Sequence, residues 1–252
     1  MSESAADVGT DRHEVVSLGL AAAPDVVWAA LREPEQVQRW FGWDYDGLDA
    51  EIRQIFVESV IEGVDGDSRT LAWHDGDLVT VAPADNDGTT LTITRRGGGA
   101  SEVSDERPDQ IEEGWIQFAQ QLRFVLEREP QGARRTVAAI DLDGGPVGVG
   151  PVYRLGVAAS DGVQVGGHWE VTRDLGTTSE TVGGLLWYRA HFQAGYTVVA
   201  PAGEALLVVQ RVPVAMRPPH GRVSLVLSTY GLDDEAFGEV QRLWTTWWGG
   251  GL

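Results

Sequence analysis

Four short alternating segments follow one another between residues 54 and 96, separated only by turn residues. They are residues 54–62 (QIFVESVIE), 68–74 (SRTLAWH), 77–83 (DLVTVAP) and 89–96 (TTLTITRR). Each alternates apolar and polar positions, the period of a strand with one buried face. The breaks, Asp65-Gly66-Asp67, Asp75-Gly76 and Asp85-Asn86-Asp87-Gly88, carry the residues that tight turns need. Connections this short join antiparallel neighbours, because a parallel crossover takes a dozen residues or more. An antiparallel meander follows, although residues 50–54 can equally begin as a helical turn.

Around the meander the pattern changes period. Residues 12–20 (RHEVVSLGL) predict a first strand. Pro24 can open a helix, since the first-turn N–H has no partner to lose. Val27, Ala30 and Leu31 then repeat at helical spacing, and Pro34 opens a second short helix ending near Trp40-Phe41-Gly42. Gly97 to Gly99 give a break. Pro108 then opens the longest helical pattern, to about Glu129, in which Ile111, Trp115, Phe118, Leu122 and Val125 form one apolar stripe. Glu112, Glu113, Gln117, Gln120, Gln121, Arg123 and Arg128 are expected on the opposite, wet face.

The second half repeats part of this order. Residues 134–142, 163–171, 184–193, 195–200, 204–213 and 222–230 are strand-like. Asp233-Asp234 can cap a last helix whose stripe is Ala236, Val240, Leu243 and Trp247, widened by Phe237, Trp244 and Trp248. The early helix pair has no clear counterpart after residue 142, and residues 144–162 are Gly-rich and ambiguous. The 252 residues suit one large domain or two ordinary ones. Glu129-Pro130-Gln131-Gly132 is the candidate linker, which gives domains at 12–129 and 134–252.

Charge narrows the partners. The net charge is −19. Residues 1–130 hold 27 Asp+Glu against 10 Arg, and the remainder hold 11 against 9. Nucleic acid and anionic membranes both bind through cations on phosphate, so neither is an expected partner. There is no lysine, which fits high-GC codon usage and a bacterial source. There is no cysteine, which excludes disulfides and thiolate metal sites and favours a reducing compartment. The polar, acidic Met1–Asp11 lacks the features of a secretory signal. A cytoplasmic location is expected.

The opening Ala23-Pro24-Asp25-Val26-Val27-Trp28-Ala29-Ala30-Leu31, then Pro34-Glu35 and Arg39-Trp40-Phe41-Gly42, resembles the family described as homologues of the activator of the heat-shock protein 90 ATPase. Glu113 to Leu122 (EGWIQFAQQL) is similar to that family's final helix. The family belongs to the START-like helix-grip superfamily (SRPBCC). The resemblance spans residues 12–129. After residue 134 only the strands and the last helix share it, as a degenerate second copy. It implies an α+β helix-grip fold in tandem, with a curved antiparallel sheet wrapped on a long C-terminal helix. It also implies a cavity that takes an apolar ligand in many members and serves cyclases or hydrolases in others.

Ten tryptophans are the strongest chemical signal. Trp43, Trp73, Trp115 and Phe118 are the candidate ligand-binding residues, since large amphipathic aromatics suit an apolar pocket with a few polar tips. Trp28, within a short amphipathic helix, reads as core. The five histidines lack metal-ligand spacing, so no metal or cofactor is expected. His74 reads as a strand-end residue. Alternation puts His191 and Arg189 on the wetter face with Leu185 and Trp187, opposite Leu186, Tyr188, Ala190 and Phe192. No G-x-S-x-G elbow is present, Gly97–Gly99 lacks the ending of a phosphate loop, and the Asp-Gly turns lack a calcium ligand ladder. No catalytic residue is assigned. The expected function is non-catalytic binding of a small apolar molecule. The alternatives are a cyclase or hydrolase working in the same cavity, and a co-chaperone regulator.

Overall fold

The computed structural model describes residues 12–97, 109–157, 162–174, 179–200 and 203–249. Pro108, Gly98, Gly99 and the acidic residues 1–11 lie outside them. The described chain falls into two compact units. One comprises the residues up to Val37 together with Glu51–Ala119; the other comprises Gln38–Ala50 and the residues from Gln120 onward.

The first unit holds a five-stranded antiparallel sheet built from β1 (Arg12–Leu20), β2 (Ile61–Asp65), β3 (Ser68–Ala72), β4 (Leu78–Pro83) and β5 (Thr89–Arg96). Its order is β1-β5-β4-β3-β2, so the first strand pairs with the last. Three helices fill the gap between β1 and β2: α1 (Pro24–Arg32), α2 (Pro34–Val37) and α3 (Leu48–Arg53). Of these, α3 begins in the other unit. Pro34 ends α1, because the residue before a proline is pushed out of the helical region. Glu33 accordingly sits at φ −84°, ψ 117°. Val27, Leu31, Val37, Ile52, Phe56, Leu71, Val79, Val81, Leu91 and Ile93 are buried as the core of this unit.

The second unit holds six strands: β6 (Arg134–Asp143), β7 (His168–Asp174), β8 (Ser179–Arg189), β9 (Gln193–Ala200), β10 (Gly203–Val212) and β11 (Arg222–Tyr230). Their order is β6-β11-β10-β9-β8-β7, again with first strand beside last. Where the first unit inserts its helices, this one has the four-residue α5 (Pro151–Arg154). The closing helix is α6 (Asp234–Gly249). Asp233 caps it, its Oδ1 accepting the Ala236 N–H at 2.9 Å. Phe237, Trp244, Trp247 and Trp248 on α6 pack on the sheet face formed by Val137, Tyr196, Leu207, Leu225 and Leu227. Two antiparallel sheets, each with its first strand beside its last, give the tandem helix-grip fold.

The helix α4 (Gln110–Arg128) is continuous. Residues up to Ala119 cluster with the first unit and the rest with the second. Here the expected polar face is corrected. Glu113, Gln117, Gln120 and Gln121 are all buried, whereas Ile111 is 51% exposed. The buried stripe is Gln117, Gln120, Gln121 and Phe124, at spacings of three and four, beside Ala119, Leu122 and Val125. Three strand expectations also change. Residues 163–167 are a turn segment, so the strand expected there starts only at His168. Residues 54–58 form a single π-helical turn after α3, so the strand starts only at Ile61. Residues 190–192 form the connection between β8 and β9, and a register shift between Leu186 and Tyr188 breaks the alternation. Trp187 is therefore buried like its two neighbours.

The linker is fixed by backbone contact inside the second unit. Gly231 donates its N–H to Ala133 O at 2.9 Å. Gly132 has φ +83°, and a Cβ there would lie 2.5 Å from Gly231 Cα. Both the left-handed backbone and the close approach require glycine. Gly132→Ala is expected to cost about 1–3 kcal/mol, read as a lower urea midpoint at unchanged slope; an unchanged midpoint would show that this crossing is dispensable.

Candidate functional site

The tight turn from Trp73 to Asp77, between β3 and β4, organises the polar end of the first unit. Trp73 N–H bonds to Asp77 O at 3.0 Å, and Gly76 N–H to Trp73 O at 3.1 Å. Gly76 takes φ +98°, and Arg12 Nη1 and the Arg96 N–H both donate to its carbonyl. The turn thereby leaves His74 exposed and brings Trp73 and Asp77 beside the start of α4.

Two indoles meet there. The rings of Trp73 and Trp115 lie 5.4 Å apart at 53°. Both residues are half-buried. Trp73 Nε1 donates to Ile55 O at 2.8 Å, and its ring stands edge-on to Phe56 at 6.1 Å. Trp115 Nε1 donates to Asp77 Oδ2 at 2.6 Å. The polar edges of both rings are thus tied inward.

Asp77 is 3% exposed and fully engaged. Its other oxygen accepts Arg95 Nε at 2.8 Å. Arg95 Nη1 reaches Asp109 at 3.1 Å and lies 4.0 Å from Glu112. Asp109 Oδ1 also accepts the backbone N–H groups of Ile111 and Glu112, capping α4. Glu112 Oε1 is 2.7 Å from His13 Nε2, and His13 stands opposite Arg95 in the β1–β5 register. His13 Nδ1 is buried without a hydrogen-bond partner among the described residues. Burial works to lower the Arg95 pKa, but the hydrogen bond and charge of Asp77, with Asp109 and Glu112 behind it, leave it raised. The guanidinium is therefore a fixed cation.

Of the four aromatics singled out in the sequence, Trp73 and Trp115 are in ring contact. Phe118 is half-buried three residues further along α4, its ring over Gly114. Trp43 is half-buried and groups with the second unit. Sequence reasoning missed Asp77, Arg95 and the His13–Glu112 pair. No motif marks them, since they come together only through the register of β1 with β5 and the start of α4.

The second unit has a polar arrangement of its own. Arg134 donates to Phe41 O and Gly42 O at 2.7 Å each, and to Ser228 Oγ. Burial lowers its pKa, against the raising effect of Tyr230 and Asp44. Asp44 and Thr136 exchange two hydrogen bonds, of 2.6 and 2.8 Å. Tyr230 donates its hydroxyl to Arg39 O at 3.1 Å, and burial raises its pKa. These bonds hold residues 38–50 on the second sheet. A depression of about 300 Å³ lies on that segment, lined by Gln38, Asp44, Tyr45, Asp46, Gly47, Leu48 and Asp49. No helix among the described residues is long and apolar enough to cross a membrane.

No family model and no curated protein matches the chain. Three solved structures are similar to it. DynU16, a protein of the dynemicin biosynthetic locus, shares 19% identity over 95% of this chain and 96% of its own, with a TM-score of 0.27. The di-domain ARO/CYC StfQ of the steffimycin biosynthetic pathway shares 10% over 92% and 87%, with a TM-score of 0.31. SA2116 of Staphylococcus aureus, a protein of unknown function, shares 7% over 45% and 83%, with a TM-score of 0.30. Superpositions this loose carry no argument about what this chain does.

The ion cluster makes a direct prediction. Asp77→Asn removes the buried partner of Arg95 and weakens the acceptor for Trp115. Breaking a buried ion pair on one side costs about 3–5 kcal/mol. The lower end is expected because Arg95 keeps Asp109 and Glu112. A urea midpoint equal to wild type would mean that Asp77 does not hold the turn to α4.

Proposed function

We propose that this chain is a non-catalytic cytoplasmic binding protein for a small apolar molecule, held in the first of two helix-grip domains at 12–129 and 134–252. The observation that carries the reading is the Trp73–Trp115 pair. Two half-buried indoles, each with its N–H committed to an internal acceptor, leave ring faces as the remaining contact surface. Such faces gain free energy from covering, at roughly 25 cal/mol per Å² of apolar area before ordering costs. A ligand of modest size then binds with no charged contact. Phe118 extends the surface along α4. Kinship with the homologues of the heat-shock ATPase activator rests on the opening block at 23–42 and the helix block at 113–122.

A second reading, cyclase or hydrolase chemistry on a hydrophobic substrate, draws on His13 alone. Its Nε2 is held by Glu112, and its Nδ1 has no hydrogen-bond partner among the described residues. A carboxylate-oriented imidazole with a free nitrogen is the form a general base takes. Asp77 does not fit that role, because both its oxygens are engaged.

Titration with an environment-sensitive apolar dye tests the binding reading. Saturable binding to the folded chain is expected, weakened about tenfold or more by Trp115→Ala and much less by Trp115→Phe, which keeps a ring. Far-ultraviolet circular dichroism checks that folded content is unchanged. Equal affinities for wild type and Trp115→Ala would reject this site.

A further inference from the structure

The second unit contains buried polar groups that the proposed function leaves unused. Gln121 is 1% exposed, and neither its Oε1 nor its Nε2 has a hydrogen-bond partner among the described residues. Gln120 is 6% exposed, and its Oε1 is likewise unpartnered. Buried polar side-chain atoms are paired in the large majority of cases. Methionine or leucine would occupy similar volume on a helix without any polar atom to satisfy. Three unpaired amide atoms at adjacent buried positions therefore point to a partner.

Their position on α4 shows what they face. Both lie one turn before Phe124, at spacings of four and three, so the three share a side of the helix. Phe124 stacks on Tyr230 at 6.0 Å and 29°, and meets Trp187 edge-on at 5.7 Å. Trp187 Nε1 also donates to Gln120 O at 3.4 Å. This side of α4 thus meets the face of the second sheet opposite α6. A cross-strand row on that face runs Thr136, Ser228, Leu206, Thr197 in register. All four are buried, and three carry hydroxyls. Residues 38–50 lie on the same face, bonded through Asp44 to Thr136, and carry the depression of about 300 Å³.

We infer that the α4-facing side of the second sheet is a binding site for a small neutral molecule with a hydrogen-bond donor and acceptor side by side on an apolar body. A carboxamide or a hydroxy-ketone has this form. The amide of Gln121 complements it, its NH₂ donating to a carbonyl while its oxygen accepts from N–H or O–H. Neutrality follows from the neighbours. Arg134 is committed to Phe41 O, Gly42 O and Ser228. A ligand charge would go unpaired there, at a large desolvation cost. Phe124, Leu206 and Val208 supply apolar surface. This site is independent of the Trp73–Trp115 reading, and each can fail alone.

The test uses the full chain with two matched probes, naphthalene and 2-naphthamide, titrated while the side-chain amide resonances of ¹⁵N-labelled protein are followed. The amide probe is expected to bind about tenfold more tightly, a difference of one hydrogen bond, and to shift the Gln121 NH₂ signals at saturation. Gln121→Met is expected to bind both probes equally and to resist urea at least as well as wild type. Equal affinities in wild type, no binding of either probe, or a preference that survives in Gln121→Met overturns the inference. Should Gln121→Met not fold, Gln120→Met and the wild-type resonance decide. A Gln121 amide that stays put as 2-naphthamide saturates, or shows exchange peaks to bound water alone, also overturns it.

Discussion

In each sheet the first strand lies beside the last, and most of the architecture follows from that pairing. When β1 pairs with β5 and β6 with β11, the intervening strands form a meander that runs away from the first strand and returns to it. Any helix between the first two strands must then cross the sheet instead of extending it. The first unit uses that space for α1 and α2, and the second reduces it to α5. The closing helix leaves from the strand next to the first one. This is why the residues at the start of α4 meet side chains of both β1 and β5, such as His13 and Arg95.

The consequence for α4 is a division of labour along its length. Its first turns are tied by charge: Asp109, Glu112 and the Trp115 indole engage Arg95, His13 and Asp77. Its last turns are tied by rings, with Phe124 against Trp187 and Tyr230, and Arg123 and Arg128 over the Trp187 ring at 4.6 and 5.3 Å. Between them lies the glutamine stretch, buried and incompletely bonded. Low dielectric strengthens the first arrangement and makes the third costly.

What the sequence made legible depended on period. β1, β5 and β11 begin and end where alternation predicted, and α4 and α6 lie within two residues of the predicted ranges. Residues 54–58 misled because Ile55, Val57 and the neighbouring apolar positions suit a strand, yet α3 runs straight into them. The buried side of α4 misled for another reason. Ile111 to Val125 and Gln117 to Phe124 both step by threes and fours; hydropathy finds only the first, whereas the fold buries the second as well, together with Leu122 and Val125, and leaves Ile111 exposed. Glutamines beside a large aromatic were the only hint. The Trp73–Trp115 contact was only half within reach of the pattern: helix spacing places Trp115, but Trp73 lies past the end of β3, in a turn that alternation does not describe. The ion cluster was out of reach, since Asp77, Arg95 and His13 come together only through β-sheet register.

The central claim is that Trp73 and Trp115 form a binding surface and not merely core. Fluorine NMR of the chain labelled with 5-fluorotryptophan tests it most directly, with Trp73→Phe and Trp115→Phe used to assign the two signals. On titration with toluene, the account predicts saturable shifts of these two resonances at one common affinity, while Trp244 and Trp248 in the second core stay fixed. Two signals that remain unmoved up to the solubility limit of toluene would contradict it.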